Sequence, residues 1–145
     1  MTRTMTRTMT RLSGVVVSGL LLAMVGDLAG CAGGGELIQV HTVKSGRLDV
    51  VLLSAREALR HGKDDLVIEF RAADGKLVDV GDVRANASMP MSGMPMFGGV
   101  TVQRGDLPGR YRAGAEFSMA GTWRLTIEWK GPGEEGSVTF ALPVQ

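Results

Sequence analysis

From Glu36 onward the chain alternates apolar and polar residues with a period of two. Leu66, Ile68 and Phe70 alternate with Val67, Glu69 and Arg71, and Tyr111, Ala113, Ala115 and Phe117 alternate with Arg112, Gly114, Glu116 and Ser118. Trp123, Leu125, Ile127 and Trp129 alternate with Arg124, Thr126 and Glu128, and Val138 and Phe140 flank Thr139. Only an extended backbone sends successive side chains to opposite faces, so these runs are half-buried strands. Further strands are expected around Gln39 to Val43, Leu48 to Leu53, Val83 to Ala87 and Val100 to Val102. Turn signals separate them at Lys44-Ser45-Gly46, Gly62-Lys63-Asp64, Ala73-Asp74-Gly75, Gly105 to Gly109, Ala120-Gly121 and Gly131-Pro132-Gly133. Seven or eight short strands in one domain's length make an all-β, immunoglobulin-like antiparallel β-sandwich. The helical competitor, Ser54 to His61, is too short to change that class. Trp123 and Trp129 share one strand face and are expected to anchor the core. Asp64-Asp65 and Glu134-Glu135 are expected in turns, as solvated charge.

The first thirty residues follow a different logic. Arg3, Arg7 and Arg11 precede an apolar stretch from Leu12 to Val25. About fourteen residues at ~1.5 Å each span ~21 Å, short of the ~30 Å hydrocarbon core, which fits a cleaved leader better than a permanent span. The leader ends in Leu28-Ala29-Gly30-Cys31, which resembles the lipobox of bacterial lipoproteins, and by that resemblance Cys31 carries the lipid. Two or more acyl chains make such attachment stable. The expected organisation is a signal peptide over 1–30, a lipidated Cys with a Gly-rich tether over 31–36, and the sandwich domain over 37–145. The mature chain is then extracytoplasmic, faces the periplasm and meets the membrane through its lipid.

Charge excludes several partners and chemistries. With 16 Lys+Arg against 15 Asp+Glu and no basic patch, nothing attracts nucleic acid. Cys31 is the single Cys, and His41 and His61 are the only His, so thiolate zinc sets and Cys-His nucleophile pairs are not available. No Gly-rich stretch sits in a strand-turn-helix context that would cradle phosphate. The chain is expected not to be an enzyme. His61, beside Gly62, reads as a solvated loop residue, and His41 reads as a strand residue with a minor claim to a metal.

Methionine is the unusual component. Of nine Met, Met89, Met91, Met94 and Met96 fall in Met89-Pro90-Met91-Ser92-Gly93-Met94-Pro95-Met96. A thioether is soft, uncharged and keeps its lone pairs at any physiological pH, which suits Cu(I) and not Ca²⁺ or Mg²⁺. A two-residue turn at Ser92-Gly93 would face Met91 to Met94 and Met89 to Met96, with all four side chains on one side. An irregular loop could gather them as well. Met119 continues the series Ala113, Ala115, Phe117 toward the turn before Gly121 and offers either a fifth sulfur or core packing. Copper binding, a hydrophobic docking loop and gap-filling in the core all fit the cluster.

Asp74-Gly75-Lys76, the run from Val83 to Ala87 leading into Met-Pro-Met, Pro108-Gly109-Arg110-Tyr111 and Phe117-Ser118-Met119-Ala120-Gly121-Thr122-Trp123-Arg124-Leu125 together resemble the YtkA-like domain family, related to FixH-type proteins. The similarity spans roughly Gly46 to Val144. It implies a small β-sandwich of the bacterial envelope, associated with copper handling or cytochrome oxidase assembly. FixH-type members usually carry a transmembrane helix, where this chain has the lipobox. The expectation is an envelope lipoprotein that carries, buffers or delivers Cu(I) through Met89, Met91, Met94, Met96 and Met119. Its partners would be an envelope copper-handling protein or an oxidase-assembly complex. The alternative is a metal-free domain that docks on such a complex through the Met-rich loop.

Overall fold

The computed structural model describes residues 35–145; the leader, Cys31 and the first glycines of the tether lie outside the described residues. Eight strands follow in chain order: β1 (Ile38–Ser45), β2 (Leu48–Ser54), β3 (Gly62–Ala72), β4 (Asp82–Met89), β5 (Met96–Arg104), β6 (Arg110–Phe117), β7 (Gly121–Lys130) and β8 (Glu135–Val144). Every strand pairing is antiparallel, in the continuous order β1-β2-β3-β6-β5-β4-β7-β8. β5 is the corner: Met96, Phe97 and Gly98 pair with β4, whereas Gly99 to Arg104 pair with β6. Beyond that corner the ladder folds back on itself. Phe70 on β3 meets Trp129 on β7 with ring centroids 5.1 Å apart, a contact that strands four places apart in one flat sheet could not make.

Taken from β2, the first, second, fifth and fourth strands form one layer and the third, sixth and seventh the other. That is the immunoglobulin constant-type arrangement, with β1 added at the edge. The expected all-β sandwich is therefore observed. Its core is built by the alternating residues named above: Ile68, Phe70, Phe117, Trp123, Leu125 and Ile127 are fully buried, and Trp129 nearly so. Among the described residues there is no helix long and apolar enough to cross a membrane. Ser54 to His61 forms bends and a single bridge, not a helix.

Two local expectations are corrected. Gly62-Lys63-Asp64 is not a turn, because β3 starts at Gly62 and pairs with β6 down to Phe117. Asp64 is 8% exposed, not solvated, since its carboxylate accepts the Arg60 N–H at 3.2 Å and lies 3.5 Å from the Arg56 guanidinium. With its charge met this way, an inward Asp can extend the strand. Glu135 likewise opens β8 instead of closing a turn. Glu69, on a polar position of the alternation, is buried as well, held by Nε of Arg71 at 2.8 Å and Nε of Arg110 at 2.7 Å.

The corner depends on Gly98. A Cβ there would stand 2.7 Å from the Glu116 carbonyl oxygen, 3.2 Å from the Trp123 ring and 3.3 Å from the Ala87 Cβ. Because the nearest atom is backbone, it cannot swing away. Gly98→Ala should cost about 1–3 kcal/mol through forced separation of β5 from β6. Urea denaturation reads this directly, and an unchanged midpoint would show that the corner is loose.

Candidate functional site

Strand alternation sorts the connections between two ends of the sandwich. The β2–β3, β4–β5 and β6–β7 connections lie at one end, and those after β1, β3, β5 and β7 lie at the other. All five methionines of the described chain are therefore at a single end. Met89 closes β4 and Met96 opens β5, and the two are register partners. Directly paired residues on one face bring their Cβ atoms to about 4.5–5.5 Å, so the two thioethers are neighbours. Both are partly buried against the core.

Between them the chain leaves the ladder for the six residues Pro90 to Pro95. The two-residue turn is not formed; the irregular loop is. Proline fixes φ well short of the extended strand value, and a tight turn of the favoured hairpin type needs two residues with positive φ. Here Gly93 has φ 93°. Freed from the ladder, Met91 is 45% exposed and Met94 75% exposed.

The β6–β7 turn joins this group through Gly121. Its φ of 147° and missing Cβ leave room for Met89, since a Cβ there would stand 2.7 Å from Met89 Cε and 3.0 Å from its sulfur. Met119 lies two residues earlier, 38% exposed, and its carbonyl accepts the Trp123 indole N–H at 3.0 Å. Trp123 itself is fully buried, stacked edge-on to Phe117 at 5.4 Å. The core thus forms a rigid floor beneath Met89 and the Met119 turn. Phe97 completes the end. It is 75% exposed on the outward side of β5, opposite Ser88. Sequence alternation did not single it out, because an aromatic in a strand ordinarily reads as core.

The remaining candidates lie elsewhere. His41 is mid-strand opposite Leu52, its ring 6.2 Å from that of Phe140. His61 is exposed, with Nδ1 3.2 Å from the Gln145 main-chain oxygen. Among the described residues no three His, Cys, Asp or Glu side chains converge to hold a metal. A surface depression of about 540 Å³, an open groove on the outer face of β3, β5 and β6 near Thr101, Arg112 and Gly114, is lined by no methionine. The shifted titratable groups are at the opposite end. Asp79 is held below the usual carboxylate range by the Gly81 N–H and then by Arg104. Tyr111 is pushed above its ordinary value by burial and then by Asp79. The Tyr111 hydroxyl donates to the Gly81 carbonyl at 2.8 Å, so this cluster fastens the β3–β4 connection to the core.

No curated protein matches the chain. Among solved structures, the crystal structure of the Lin-41 filamin domain is similar over 61% of this chain and 81% of that chain, at 23% identity and a TM-score of 0.41. The model of the YtkA-like family matches residues 42–128, which is more than half of the chain and runs from β1 to near the end of β7. The match includes all five methionines and stops short of β8. The chain belongs to the YtkA-like family.

Proposed function

We propose that the protein is an envelope lipoprotein whose methionine end binds Cu(I), and that it serves as a copper carrier, buffer or delivery module rather than as an enzyme. The observation that carries this reading is the grouping of Met89, Met91, Met94, Met96 and the Met119 turn at one end of the sandwich. Soft, neutral thioether donors suit a soft monovalent cation. Met89 and Met96 are seated against the core, whereas Met91 and Met94 project on a loop. That division lets two ligands be preformed while two close over an arriving ion. Methyl NMR of the mature chain with ¹³C-labelled methionine tests it. Addition of one equivalent of Ag(I), a redox-inert stand-in for Cu(I), should shift the methyl signals of the loop and of Met89 and Met96 together. Unshifted methionine signals would contradict the reading.

The second reading, a metal-free domain docking on an envelope or oxidase-assembly complex, is favoured by a separate observation. Met94 and Phe97, three residues apart in the chain at this end, are each 75% exposed. Large apolar groups clustered in solvent mark interaction surfaces.

Attachment is a further part of the proposal. Cys31 is the only thiol that can take a lipid. Cys31→Ser should therefore abolish fatty-acid labelling and release the protein from the membrane fraction. Undiminished labelling of the variant would remove the lipoprotein reading.

A further inference from the structure

We propose that the methionine end of the sandwich faces the lipid bilayer, with Met91, Met94 and Phe97 entering the headgroup boundary. Seven large hydrophobic side chains are exposed among the described residues: Leu37, Ile38, Met91, Met94, Phe97, Leu107 and Met119. Leu107, in the β5–β6 connection, is the one at the opposite end. Met91, Met94, Phe97 and Met119 lie at the methionine end, and so does Ile38, because antiparallel alternation makes the chain enter β1 from that side; Leu37, just before it, lines the groove on the outer face. The entry point matters for reach. Seven peptide steps lead from Cys31 to Ile38, so the lipidated residue lies at most about 25 Å from the start of β1. The opposite end is a further ~26 Å away along the eight residues of β1.

A short tether therefore brings the apolar end to the membrane first. Exposed charges around this end are of both signs, Arg60, Lys63 and Arg124 with Glu57, Asp65 and Glu116. Adhesion is then driven by apolar burial and is insensitive to salt, unlike binding through a basic patch. The inference rests on the lipid anchor proposed above and is independent of copper.

The test uses the full lipidated chain in phosphatidylethanolamine–phosphatidylglycerol vesicles. Phe97→Cys and Leu107→Cys are each labelled with a polarity-sensitive fluorophore, Cys31 being blocked by its lipid. A blue shift and protection from an aqueous quencher at position 97, absent at position 107 and unchanged by salt, is the expected result. Equal quenching at both positions, or protection at 107, would overturn the orientation. Protection at 97 only in native membranes, and not in lipid vesicles, would overturn the bilayer in favour of a protein occupant. A mature chain whose mass shows no lipid would remove the anchor itself, and label appearing on Cys31 would report that failure separately.

Discussion

Trp123→Ala should destabilise the domain by about 3–5 kcal/mol, the range for deleting a large buried aromatic and leaving a cavity. The side chain is fully buried, packs edge-on against Phe117 and touches the position where Gly98 lacks a Cβ. It therefore joins β7 to β6 and to the corner in β5. A second loss comes from its indole N–H, which is the donor to the Met119 carbonyl. Against a typical stability of about 5–15 kcal/mol, the total is enough to show partial unfolding in urea. Trp123→Phe separates the two effects: it keeps most of the volume, loses the donor and should cost about 0.5–1.5 kcal/mol for the hydrogen bond alone. It should also release the Met119 turn, visible as a changed Met119 methyl signal in an otherwise folded protein. An unchanged denaturation midpoint for Trp123→Ala would contradict the packing described.

Replacing Met91 and Met94 together by Leu should lower Cu(I) affinity by more than about 100-fold, since removal of even a supporting group at a metal site costs 10–100-fold. Leucine matches methionine in volume and hydrophobicity but has no lone pair to give. The exposure of both residues makes the comparison clean, because substitutions away from the core usually change stability by no more than about 0.5 kcal/mol. The metal-free thermal midpoint should hardly move. Met89→Leu with Met96→Leu is the complementary pair. These side chains pack on the core, so a volume-conserving change should cost less than about 1.5 kcal/mol per site while removing the two seated sulfurs. If either double variant binds Cu(I) as tightly as the parent, its two sulfurs are not essential ligands.

Much of this architecture was legible in the sequence for one reason: a strand half-buried on a two-layer core must alternate. Tyr111 to Phe117 and Trp123 to Trp129 show that pattern without interruption, and their strands lie where it placed them. β5 was expected only around Val100 to Val102, because Gly98 and Gly99 have no side chains with which to alternate. The strand is held there by close backbone approach instead. Asp64 and Glu69 were misplaced or unremarked because their burial depends on Arg56, Arg71 and Arg110, and the last of these lies far along the chain from Glu69. That the methionine group offers soft thioether donors was readable from its residue types, but how the five are arranged was legible only in part. Pairing of Met89 with Met96 fitted the spacing, whereas the spacing allowed both a two-residue turn and the open loop that is observed between them. The seat of Met89 over Gly121 is a tertiary contact between strands more than thirty residues apart, and no local pattern announces it.

The central claim is that this end of the sandwich is a thioether site for Cu(I). A competition titration of the mature chain against a chromophoric Cu(I) chelator, under reducing conditions, tests it most directly. One Cu(I) should be withdrawn from the chelator per protein at neutral pH, and withdrawal should persist at mildly acidic pH because thioethers have no proton to compete with the metal. A chelator spectrum that stays unchanged as protein is added in excess would contradict it.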